Sequence, residues 1–160
     1  MAFWNRRAKV PFNTFIEQEL ENSTTFHFET IKQGLEIIGP IPNVKELQCF
    51  VSFLPLIGMT IAGHSENVRL EYMRLTFDKL DLILGASRTK GRFKEYNLSF
   101  ANDLQSNKAH IAPHLISTAL ENVFGSSDES NVLQHLALLT LAWKPTISVS
   151  IPFYKSLKVV

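Results

Sequence analysis

The chain has 160 residues, 45% of them hydrophobic and only 19% charged, with a formal net charge of +1. That length and greasiness suit one globular domain with a sizeable core, and they exclude a charge-swollen disordered chain. A near-neutral total excludes uniformly basic contact with a polyanion, so any such contact has to come from local patches.

Residues 1–12 combine Phe3, Trp4 and Phe12 with Arg6, Arg7, Lys9 and Pro11 and lack any period. The reading is an extended arm, followed by a single core domain over 13–160. Exposed aromatics are unfavourable in water, so Phe3, Trp4 and Phe12 are expected to dock on the chain's own domain, on a neighbouring copy or on lipid headgroups. Nothing apolar follows the first charges, so a secretory signal is not expected. From Thr24 to Ile38, Phe26 and Phe28 share one parity, and Ile31, Leu35 and Ile37 the other; a strand with a bulge near Gly34 is predicted. Gly39-Pro-Ile-Pro42 is a stop and a turn.

Asn43 with Glu46 three residues on resembles a capping box, which starts a helix near Val44. Leu47, Phe50, Val51 and Leu54 recur at helical spacing, and Pro55 is expected to end or kink that helix, helped by Gly58 and Gly63. After Ser65, the set Leu70, Met73, Phe77, Leu80 and Leu84 predicts a second amphipathic helix that stops at Gly85. An alternating reading of Met73, Leu75 and Phe77 also permits a strand there. Arg88, Lys90, Arg92 and Lys94 then fall in a predicted exposed loop around Gly91, with Phe93 among them. These four cations cannot be buried unpaired. Together with Arg6, Arg7 and Lys9 they are the candidate contacts for phosphate, on RNA or on anionic lipid, where Phe93 could stack or insert.

Tyr96, Leu98 and Phe100 alternate with polar residues and predict a second strand. Pro113 opens a helix with Ile116, Leu120, Val123 and Phe124 inward and Gly125 as its stop. Ser126 to Asn131 reads as an acidic surface loop. Val132 to Trp143 is nearly all apolar; its period does not separate helix from strand, and its length and leucines favour helix. Ile147, Val149 and Ile151 predict a strand that Pro152 places at a sheet edge or end, with a short last strand over Phe153, Leu157 and Val159. No unbroken apolar run reaches the length of a membrane span.

No phosphate-cradling glycine loop, nucleophile elbow or carboxylate pair is present. His110 and His114 stand four apart, but Pro113 lies between them and no acidic third ligand follows. Cys49, the sole cysteine, sits among apolar residues as a small hydrophobe would. The expectation is therefore a non-enzymatic protein with no catalytic residue, no metal and no cofactor.

The pattern of elements predicts an α+β fold, a small antiparallel sheet with helices packed on one face. Over residues 25–90 the chain resembles the matrix proteins of rhabdoviruses. The features that carry the likeness are an aromatic strand (Phe26-His-Phe28), a proline turn (Gly39-Pro-Ile-Pro42), a helix from Val44 to Leu56, an Ile57-Gly58-Met59 break, a second helix to Leu84, and a small-residue loop ending in Lys90. The Pro-Pro-x-Tyr budding motif of many members is absent, and the lysine-rich tail is short. The resemblance implies a structural virion protein of the host cytoplasm and inner membrane face. Its partners would be further copies of itself, the viral nucleocapsid and the anionic membrane, with no small-molecule substrate. The alternative expectation is a soluble protein-interaction module without polyanion binding.

Overall fold

The computed structural model describes residues 7–126 and 131–160. It overturns the α+β expectation: the protein is 81% helical, and the sheet among the described residues has two strands paired in parallel. Strand β1 (Ala8–Val10) leads into α1 (Phe12–Glu21), a π-helical turn (Asn22–Phe26) and α2 (His27–Glu36). Helices α3 (Val44–Ala62), α4 (Glu66–Leu84), α5 (Ala86–Gln105) and α6 (Pro113–Phe124) follow, each packed on the one before it. Then α7 (Val132–Leu138), π-helical turns at Leu139–Trp143 and Thr146–Ser150, and α8 (Ile151–Ser156) run as one long helix into β2 (Leu157–Val159).

The three predicted antiparallel strands are helical for a common reason. In a short window, alternating apolar residues also satisfy a helical period when the next apolar residue lies three or four positions away. Phe28, Ile31 and Leu35 are buried together while Phe26 and Ile37 point outward. Tyr96 and Phe100 join Phe93 in the core and leave Leu98 exposed. Ile151 is buried with Thr146, whereas Val149 is exposed. The last predicted strand does form at Leu157–Val159, but Phe153 belongs to α8 and the partner strand is β1 from the other chain end.

Helix α3 is the axis of the molecule, touching α2, α4, α5, α6 and α8. It continues through Pro55, so the proline does not end the helix as one branch of the expectation had it. A mid-helix proline costs about 3 kcal/mol, but eleven of the nineteen α3 residues are buried. Burying each large apolar side chain contributes roughly 1.5–3 kcal/mol, so packing decides. The true stop is Gly63, left-handed at φ 78°, with the His64 amide donating to the Met59 carbonyl at 3.0 Å.

The capping box does not form either. The Asn43 amide nitrogens donate to the carbonyls of Val123 and Asn122, tying the start of α3 to the end of α6. Glu46 turns inward, away from the helix terminus. Pro145 and Pro152 likewise sit inside the C-terminal helix, against the expectation that the first ends it and the second marks a sheet edge. Each ring removes a donor and crowds a carbonyl one turn back, and each follows closely on a π-helical turn in which the coil widens.

The main core spans α2, α3, α5, α6 and the C-terminal helix, with Trp143, Tyr96, Phe50 and Phe53 fully buried. A smaller one gathers Phe15, Ile16, Met59, Tyr72, Tyr154 and Leu157 where the two chain ends meet. By length and composition alone, two helices, Val44–Ala62 and Val132–Ser156, are long and apolar enough to cross a membrane; Val44–Ala62 is the core helix just described.

Candidate basic surfaces

The predicted cationic loop is the first two turns of α5, and helical spacing sorts its members. Arg88 and Arg92, one turn apart, both reach Glu46, a carboxylate only 1% exposed on α3. Arg88 Nε donates to Glu46 Oε1 at 2.8 Å and Arg92 Nε to Oε2 at 2.9 Å; Arg92 Nη1 also donates to Glu95 at 2.8 Å. Burial pulls the Arg92 guanidinium down, but its bonds to Glu46 and Glu95 outweigh this and raise it above its usual range. These two arginines are largely answered within the fold.

Phe93 follows Arg92 directly and points inward. It is buried with its ring edge-on to Phe53 and Phe77, at centroid distances of 5.2 and 5.1 Å. A base or a headgroup cannot reach it. Lys90 and Lys94 occupy the opposite face, exposed, one turn apart and without an ion pair among the described residues.

The second basic surface is assembled from both ends of the chain. Strands β1 and β2 pair in parallel with Lys9 opposite Lys158, and Val10 opposite Val159. The Phe12 amide donates to the Val160 carbonyl at 2.8 Å and the Val160 amide to Val10 at 3.0 Å, which fixes the register. Period-two alternation turns Val10 and Leu157 toward the smaller core and sends Lys9 and Lys158 out on one face. Arg7 and Lys155 are exposed close by in the chain, and none of the four makes an ion pair with a described residue. Neighbouring His64 reports on this charge. Burial lowers its pKa first; the bond to the Tyr154 carbonyl at 3.0 Å opposes that, and the positive charge of Arg7 lowers it further.

Phe12, expected to link copies of the chain, is half-buried against the smaller core. Phe3, Trp4 and Arg6 lie outside the described residues. His114 donates from its backbone, and pairs through Nδ1 at 2.6 Å, to the buried Asp103. Among the described residues no group of three His, Cys, Asp or Glu could hold a metal ion. Burial pushes the Cys49 thiol up to about 12, out of the range of a reactive thiolate.

Three residues of these surfaces were not among the contacts expected from the sequence. Lys155 and Lys158 join Lys9 only through pairing between opposite chain ends, for which no local signal exists. Glu46 carried a signal: it shares the helical face of Phe50 and Phe53, and a carboxylate on a core face requires cations. No family model, curated protein or solved structure matches the chain.

Proposed function

We propose that the protein is a non-enzymatic structural protein of viral matrix type, which associates with further copies of itself and lies against phosphate-bearing surfaces. The observation that supports this reading is the Lys9–Lys158 pair. Like charges held side by side on a two-stranded ribbon repel, and here neither has an acidic partner among the described residues. An external phosphate removes that repulsion, whether it belongs to nucleocapsid RNA or to an anionic lipid of the inner membrane face. Lys90 and Lys94 form a second point of contact on α5; Arg88 and Arg92 contribute less, being already paired with Glu46.

The test is co-sedimentation with phosphatidylserine and with phosphatidylcholine vesicles, beside fluorescence anisotropy on a short single-stranded RNA, at low salt. The Lys9→Glu/Lys158→Glu double variant is expected to bind about tenfold or more weakly in at least one anionic arm, since each cation near a charged surface is worth about 1 kcal/mol and reversal doubles the change. The arm that responds identifies the source of the phosphate. Unchanged binding in both overturns the reading. A protein-interaction module without polyanion binding is then the better account, favoured by the exposed apolar residues Val132, Leu133 and Leu136 on α7.

A further inference from the structure

A cleft of about 220 Å³ opens between the first π-helical turn, α3 and the C-terminal helix, and all three π-helical turns line it. Asn22 and Ser23 come from the first, Leu141 and Ala142 from the second, Thr146 and Val149 from the third. In the first turn Ser23 and Thr24 both donate back to the Leu20 carbonyl, at 3.3 and 2.6 Å. The other two precede Pro145 and Pro152 in the chain. Widened helical turns of this kind occur frequently at functional sites, and here the helix-disturbing residues of three separate segments converge on one space.

The chemistry of the lining is lopsided. Its floor is Glu19, 8% exposed. Tyr154, itself buried, donates to Glu19 Oε2 at 2.5 Å, and no described residue donates to Oε1. No lysine or arginine lines the cleft. The basic residue that lines it is His27, and burial lowers its pKa, which disfavours its charged form. Leu54, Leu141 and the half-exposed ring of Phe153 supply apolar walls. Glu19 Oε1 has no donor among the described residues and is not sealed from the cleft, so an incoming ligand can reach it; burial raises the Glu19 pKa against the opposing bond from Tyr154, and a cation beside the carboxylate would favour its charged form.

We propose that this cleft binds a small organic cation, an alkyl- or arylammonium whose nitrogen donates to Glu19 Oε1 and whose apolar body lies against Leu54, Leu141 and Phe153. The acid without a counter-cation selects positive charge. The half-exposed ring of Phe153 adds an apolar face for the body of the ligand. The size selects a compact molecule: an apolar cavity of about 150 Å³ accommodates benzene, so 220 Å³ admits one ring with a short tail. The basic surfaces carry the opposite preference, and the two sites are independent.

The experiment is an NMR titration of the full chain with 2-phenylethylammonium, 2-phenylethanol and 3-phenylpropionate, read at the amides and side chains of the cleft. The ammonium is expected to give saturable shifts at Glu19, Phe153 and Tyr154, the alcohol to bind more weakly, and the carboxylate not to bind. Glu19→Gln, which keeps an acceptor for Tyr154, is expected to weaken the ammonium by roughly tenfold or more. Val149→Trp fills the mouth from an exposed position that the core does not depend on, and is expected to abolish the shifts. Absence of saturable shifts with the ammonium, equal affinity for the carboxylate, or unaltered binding in either variant overturns the proposal.

Discussion

Glu46 stands on the face of α3 that otherwise presents Phe50 and Phe53 to the core, and its charge is tolerated there because two guanidinium groups meet it. Removing one partner of a fully buried ion pair costs about 3–5 kcal/mol. Here the side chains of Arg88 and Arg92 remain 55% and 25% exposed, so part of their charge rehydrates when Glu46 is lost. Glu46→Gln is therefore expected to lower the unfolding free energy by roughly 1–3 kcal/mol, measured by urea denaturation; an unchanged midpoint would mean that the triad adds no net stability. The same cluster marks how far the site was legible. The cations Arg88, Lys90, Arg92 and Lys94 stand out in the sequence, but which of them face a partner depends on helical phase and on a carboxylate forty residues away. Lys90 and Lys94 are exposed without an ion pair among the described residues, Arg88 is exposed but paired with Glu46, and Arg92 is partly buried.

At the scale of elements, what the sequence made legible was the set with punctuation at both ends. The helices of the α3–α4 hairpin and α6 are bounded by Gly63, Gly85 and Gly125, each at positive φ, with Pro113 opening α6. The windows around Phe26, Leu98 and Val149 are not closed by a glycine at positive φ, and their alternating residues satisfy either period, so only the burial of the finished fold decides between them. The joint between α5 and α6 shows a device that no local pattern announces. Asp103, fully buried on α5, accepts the first free amides of α6 from His114 and Leu115, both at 2.9 Å, and so caps a helix other than its own. Asp103→Ala leaves those buried donors unmet and is expected to cost roughly 2–3 kcal/mol, with Asp103→Asn retaining about half of that. Denaturation together with amide exchange at His114 and Leu115 checks it: a loss of stability without faster exchange at those two amides would place the effect elsewhere.

For the molecule as a whole, the closing contact is the one between its two ends. Strand β1 pairs with β2, and Val10 and Phe12 cover the smaller core of Phe15, Tyr72, Tyr154 and Leu157. The expected boundary at residue 12, with a free arm before it, therefore separates two functions differently from where the fold does. Residues 8–12 hold the structure together, while Phe3, Trp4 and Arg6 precede the ribbon in the chain and are the part of the arm to which the proposed linking of copies falls. Deleting residues 1–6 is expected to leave the thermal midpoint nearly unaltered and to lower the assembly mass seen by light scattering. Deleting residues 1–12 removes the ribbon's hydrogen bonds and two apolar side chains, and is expected to cost about 2–4 kcal/mol of stability as well. The pair of deletions separates the two roles. Equal mass before and after the shorter deletion would remove Phe3 and Trp4 as linkers, and equal stability after the longer one would contradict a ribbon that seals the second core.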